Sequence, residues 1–128
     1  MLVDKIKNRE SGIIVYGITP PKKATSPQKI VEIAARQIER LESVKVDGLI
    51  LYDIQDEKSR TADERPFPFM ETMDAYAYSE QYLNSLALPK IIYRAVGKYS
   101  KQELQSFLSN ASAANNLTVF VGAAAKSQ

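Results

Sequence analysis

Gly12-Ile13-Ile14-Val15-Tyr16-Gly17-Ile18 is an almost unbroken apolar and β-branched run, closed by Pro20-Pro21. A strand with one wet face alternates apolar and polar residues, so an unbroken run marks a strand covered on both faces in a parallel sheet. Reading outward from it, the same kind of run recurs at residues 47–53, 90–96 and 117–121. Helical patterns fill the intervals. Ser26-Pro27 opens one, with Ser as N-cap and Pro where a missing N–H costs nothing, and Ile30, Ile33, Ala34, Ile38 and Leu41 follow on one face. A second runs through Met73, Tyr76, Ala77, Leu83 and Leu86 and stops before Pro89. The third starts at the capping box Ser100-Lys101-Gln102-Glu103 and carries Leu104, Phe107, Leu108 and Ala111.

With a short helix near residues 2–8, the order is αβαβαβαβ, and each crossover is long enough for right-handed parallel pairing. The fold expected is α/β of the (β/α)8 barrel type, about half a barrel with four parallel strands and three crossover helices, since a whole barrel takes about 250 residues. The alternative is a small open parallel sheet. No linker or low-complexity stretch divides residues 1–128, which read as a single domain.

The 128 residues include no Cys and no His, which excludes thiol nucleophiles, Ser-His-Asp triads, zinc fingers and haem or iron–sulfur ligation by this chain. Charge is nearly balanced, 17 Lys and Arg against 15 Asp and Glu, with no basic run longer than Lys22-Lys23, so a nucleic-acid partner is not expected. No apolar run approaches the roughly 18 residues of a membrane span, and residues 1–10 lack the apolar core of a signal peptide. The cytoplasm is the default compartment.

Parallel α/β sheets build their sites at the carboxyl ends of the strands. Those ends carry Thr19 and Lys22 after the first strand, Asp53, Gln55, Asp56, Glu57 and Arg60 after the second, Tyr93, Arg94 and Lys98 after the third, and Gly122 after the fourth. The stretch after Asp53, residues 54–70, is much longer than the usual two to six residues of a βα connection, and long connections tend to be functional. Asp53, Asp56 and Glu57 offer carboxylates for acid–base work or a hard cation. Against this, residues 53–65 hold five acids and three bases, which describes a self-paired, solvated loop better than a metal site. Arg94 and Lys98 read either as anion contacts or as ion-pair partners of the acids. Asp53 is expected to wall the site, so that its replacement would change binding and spare the fold. Tyr76, Tyr78 and Tyr82 are read as packing residues, and Phe67-Pro68-Phe69 as a loop anchor.

Together, Thr19-Pro20-Pro21-Lys22, the stretch Leu51-Tyr52-Asp53-Ile54-Gln55-Asp56-Glu57, Arg65-Pro66-Phe67-Pro68-Phe69 and Tyr93-Arg94 resemble the amino-terminal half of methylenetetrahydrofolate reductase-like proteins. The resemblance implies a (β/α)8 barrel holding FAD at the strand ends and passing hydride from NAD(P)H to a folate. On the enzyme reading the acidic role is relocated to Asp53, Asp56 and Glu57 as catalytic residues, with Tyr93, Arg94 and Gly122 cofactor-binding and Thr19, Lys22, Gln55 and Arg60 substrate-binding. Two acids of that family are replaced here, by Gly17 on the first strand and Ala123 after the fourth. The other reading is a non-catalytic module that binds a folate-like or other anionic ligand, or a partner chain, through Lys22, Arg60 and Arg94. Uncovered strand edges point to a homo-oligomer.

Overall fold

The computed structural model describes residues 2–54, 71–113 and 116–122. Gln55, Asp56, Glu57, Arg60, Phe67, Pro68, Phe69 and Ala123 lie outside them. The elements follow the predicted order: α1 (Leu2–Lys7), β1 (Val15–Ile18), α2 (Pro27–Glu42), β2 (Gly48–Leu51), α3 (Ala75–Tyr82), β3 (Lys90–Ala95), a single 3-10 turn (Val96–Lys98), α4 (Lys101–Ala113) and β4 (Leu117–Val121). The four strands form one parallel sheet in the order β1-β2-β3-β4.

Local chemistry sets the boundaries. Ser26 Oγ accepts the Lys29 N–H at 3.3 Å and starts α2. Asp74 Oδ1 caps α3, accepting the N–H of Tyr76 at 2.8 Å and of Ala77 at 3.2 Å. Ser100 and Glu103 close the predicted capping box reciprocally, each bond 3.1 Å. At the amino end of β3 the buried Lys90 ammonium donates to the Leu86 carbonyl at 2.9 Å, and burial holds its pKa below the usual lysine range.

A monotone strand order has a consequence for the layers. Crossovers of one hand between successive neighbours put every crossover helix on the same side of the sheet, whereas a doubly wound sheet must reverse its order. The packing agrees. One continuous core joins Ile30, Ala34 and Leu41 of α2, Ala75 and Tyr78 of α3 and Phe107 of α4 to Ile18, Leu49, Leu51 and Ile92. By register those strand residues share one face: Ile18 pairs with Leu51, and Leu51 with Ile92. The other face carries Val15, Gly17, Ile50, Ile91, Tyr93, Val119 and Val121, and Val15, Val119 and Val121 are exposed.

Among the described residues, α1 closes that second face at its amino end. Leu2 of α1 is 2% exposed yet stands apart from the helix-side core. Its Cδ2 lies where a Cβ on Gly48 would be, 2.7 Å away, so Gly48 leaves the space that α1 fills. Lys5 Nζ donates to Asp47 Oδ1 at 2.6 Å, and Asp47 Oδ2 accepts the Ile14 N–H at 2.9 Å, which ties α1 to the strands it plugs.

The predicted packing role of the tyrosines holds. Tyr78 is fully buried and its hydroxyl donates to Gln37 Oε1 at 2.5 Å; Tyr76 meets the Phe107 ring edge-on at 5.3 Å. Among the described residues no helix is long and apolar enough to cross a membrane.

Candidate functional site at the carboxyl ends of the strands

The chain leaving β2 sets the site. Tyr52 continues the ladder, its N–H donating to the Ile18 carbonyl at 3.1 Å, and its side chain swings over β1 on the uncovered face. A Cβ on Gly17 would stand 2.8 Å from the Tyr52 ring, so glycine at this position lets the ring lie across the strand. The Tyr93 ring meets it edge-to-face, centroids 5.1 Å apart at 77°. Tyr52 keeps 38% of its surface exposed. The result is an aromatic corner at the carboxyl end of a face that no crossover helix among the described residues covers, an arrangement suited to stacking against a flat ring.

Asp53 points the other way in function. Its Oδ2 accepts the Ala95 N–H at 2.8 Å and the Tyr99 hydroxyl at 3.0 Å, and its Oδ1 accepts from Lys98 Nζ at 2.6 Å. Lys98 also reaches the carbonyl of Ile54 at 3.0 Å and of Thr72 at 3.4 Å. The Asp53 side chain is wholly sealed from solvent. Both carboxylate oxygens are therefore engaged in fastening the end of β2 to the 3-10 turn after β3. Burial, with the Asp53 charge beside it, pushes the Tyr99 phenol well above its ordinary value.

Residues 71–73 form the rest of this fastening. Lys22 and Thr72 make an antiparallel bridge, Met73 N–H donates to the Pro21 carbonyl and Lys23 N–H to the Glu71 carbonyl, both at 2.9 Å. The chain following the long loop is thereby laid between the ends of β1 and β2.

Arg94 alternates with Tyr93 along β3 and projects to the helix side, where it is 4% exposed. Its guanidinium lies between the rings of Tyr99, 4.4 Å, and Phe107, 4.0 Å, with Nη1 at 2.7 Å from Asp74 Oδ1. Tyr93 and Arg94, adjacent in sequence, thus face opposite sides of the sheet and do not meet one ligand. Gly122 ends β4 in the open, and Thr19 and Lys22 are exposed beyond β1, Thr19 beside a hollow of about 220 Å³ shared with Tyr16, Gln37 and Arg40. The three residues assigned to a flavin, Tyr93, Arg94 and Gly122, do not converge. Gln55, Asp56, Glu57 and Arg60 lie outside the described residues. Among the described residues no cluster of acids has metal-binding form.

Sequence reasoning missed Tyr52 and the part of Gly17. The signal was there: a glycine inside a strand marks a close approach, and here it faces the one aromatic residue at the end of the neighbouring strand.

No protein-family model matches the chain, and no curated protein does. Three chains of solved structures match; among them is an uncharacterized protein from Clostridium thermocellum that binds two copies of 5-methyl-5,6,7,8-tetrahydrofolic acid. Over 97% of this chain the two are 48% identical, with a TM-score of 0.81, and the chain spans 39% of that protein's length. This corrects the resemblance to methylenetetrahydrofolate reductase-like proteins: the matching structure is of a folate binder with no assigned activity, and no reductase family is matched. Flavin-dependent hydride transfer, which rested on the resemblance alone, has no support in these matches.

Proposed function

We propose that this chain is a reduced-folate-binding module, and that its sheet is one half of a barrel-type assembly whose uncovered face, at the carboxyl end, holds the ligand. The observation that carries this reading is the aromatic corner of Tyr52 and Tyr93 over Gly17. A folate presents a flat heterocycle, a benzoyl ring and a carboxylate tail, and its rings need an apolar, stackable wall with polar groups at the margin. Tyr52 and Tyr93 supply the wall. Lys22, exposed at the end of β1, supplies a cation for the tail.

Three features support the barrel half. The strand order is monotone, the helices share one face, and α1 plugs the amino end of the other. A plugged, inward-facing strand surface is what a barrel interior looks like before its remaining strands are added. The 48% identical protein is more than twice as long as the matched region, so it has chain to spare for the other half.

Ligand binding, rather than catalysis, is the function proposed. Asp53, the strand-end carboxylate within the described residues, is saturated by three donors and turned away from the aromatic corner. The test is calorimetric titration of the chain with 5-methyltetrahydrofolate, repeated with Tyr52→Ala. Binding that weakens in the variant supports the reading; absence of binding, or indifference to the substitution, overturns it.

A further inference from the structure

The two outer strands of the sheet share one liability. Among the described residues no strand lies beyond β1 or β4, so each offers an open row of N–H and C=O groups. Protein edges are ordinarily blunted by proline, lysine or an inward-pointing charge. Neither residues 13–18 nor residues 117–121 contain a proline or a charged side chain. Both edges are instead lined with apolar side chains left 37–58% exposed, Ile14, Val15 and Tyr16 at one and Val119, Phe120 and Val121 at the other.

Register decides whether the two edges fit each other. A (β/α)8 barrel has a shear of eight residues, so a four-stranded half, related to its twin by a two-fold along the barrel axis, accounts for four of them. Along the ladder Ile18 stands level with Leu51, Leu51 with Ile92 and Ile92 with Thr118, which puts Phe120 level with Pro20, two places beyond Ile18. Strands tilted in the usual right-handed sense step back toward the amino end on closing, and four residues back from Pro20 is Tyr16. Phe120 of one copy therefore meets Tyr16 of the other, Val119 meets Val15, and Val121 meets Gly17. The valines fall together on the inward face and the two rings on the helix side. A slip of one residue would set valine against ring and turn a strand over. Phe120 also arrives beside the hollow of about 220 Å³ that Tyr16 borders with Gln37 and Arg40.

Closure makes two such junctions. Together they take roughly 1,000 Å² of apolar side chain out of water, about what a specific interface requires. Each half turns through half the barrel, so two copies close the ring and no third can add.

We propose that the other half of the barrel is a second copy of this chain, each β4 pairing in parallel with the β1 of its twin. This pairing rests on the barrel-half reading above and completes its site, because Val121 of the second copy lies next to Gly17 on the face where the Tyr52 ring lies.

The chain has no cysteine, so introduced thiols report on single positions. Tyr16→Cys/Phe120→Cys, treated with a short bifunctional thiosulfonate, should become a covalent dimer, because the thiols face each other across neighbouring strands about 5 Å apart. Either substitution alone should leave monomers on a denaturing gel, since like residues stand on opposite sides of the barrel. Ile14→Cys/Phe120→Cys, two residues out of register, should link several-fold more slowly. Sedimentation of the wild type should give twice 14.3 kDa and nothing heavier. Val119 is exposed on the separate chain, so Val119→Lys spares the fold and should yield a folded monomer by circular dichroism and sedimentation. The pairing is overturned by a wild-type monomer, by an open series of larger species, by single variants that link to themselves, by an out-of-register pair that links as fast, or by a Val119→Lys protein that stays dimeric. Folate binding is scored apart. A linked dimer that fails to bind 5-methyltetrahydrofolate removes the folate site and supports the pairing, while a folded wild-type monomer that binds it removes the pairing alone.

Discussion

Lys98 Nζ lies 2.6 Å from Asp53 Oδ1, and with side chains 6% and 0% exposed the pair bridges β2 to the turn after β3, out of reach of water. Removing one partner of such a pair strands the other charge in the interior, at a cost of about 3–5 kcal/mol. Asp53→Ala should therefore lower the melting temperature sharply, contrary to the expectation that its loss would spare the fold. Denaturant unfolding checks it: a shift under about 1 kcal/mol would show that Lys98 finds solvent or another partner.

The element order was legible in the sequence because each strand of a parallel sheet is apolar over its whole length and two helices are announced by caps, Ser26-Pro27 and the Ser100–Glu103 box; the helix read through Met73 to Leu86 is shorter, Ala75–Tyr82, and its cap, Asp74, was not read. The site was less legible. Which way a strand-end side chain points depends on parity and on partners far along the chain, so Tyr93 and Arg94 looked like one cluster and are two. For Asp53 the ion-pair alternative weighed for Lys98 is the one the structure holds, while its other partners, Tyr99 and the Ala95 N–H, come more than forty residues later and were not foreseen.

Gly17→Ala separates the fold from the binding surface. The new methyl would meet the outer end of the Tyr52 ring, a part that can swing aside, so stability should change by less than about 1 kcal/mol. Displacing the ring should weaken 5-methyltetrahydrofolate binding by about tenfold, or about 1.4 kcal/mol. A variant with unchanged affinity would remove the Gly17–Tyr52 contact from the site.

Leu2→Ala should open the plugged end of the uncovered face. Leu2 is buried against Gly48, and truncating such a side chain costs about 2–5 kcal/mol. Thermal unfolding that is unaltered would mean that α1 contributes no closure there.

Alkaline titration should resolve the buried phenols. Burial pushes Tyr78 up to about 12 and Tyr99 higher still, above the value near 10 of an unfolded tyrosine. The folded state therefore holds protons that the unfolded state gives up, so stability is full below about pH 10 and declines as pH rises above it. Ultraviolet absorbance of tyrosinate should show these residues ionising late, together with unfolding. A single titration near pH 10 of all seven tyrosines in a still-folded chain would contradict their burial.

The exposed apolar side chains of the uncovered face and the open edges of β1 and β4 should drive self-association of the isolated chain. Sedimentation at tens of micromolar, an order-of-magnitude working range, should give a species heavier than 14.3 kDa. A folded monomer would favour the small open sheet over the barrel half.

Calorimetric titration with 5-methyltetrahydrofolate, run on the wild-type chain and on Tyr52→Ala, bears most directly on the proposed function. Saturable binding is expected for the wild type, with the variant weaker by about 1–3 kcal/mol, the range for loss of one aromatic stacking partner. No heat of binding in the wild type, or equal affinity in the two proteins, would contradict a folate site built on the Tyr52–Tyr93 corner.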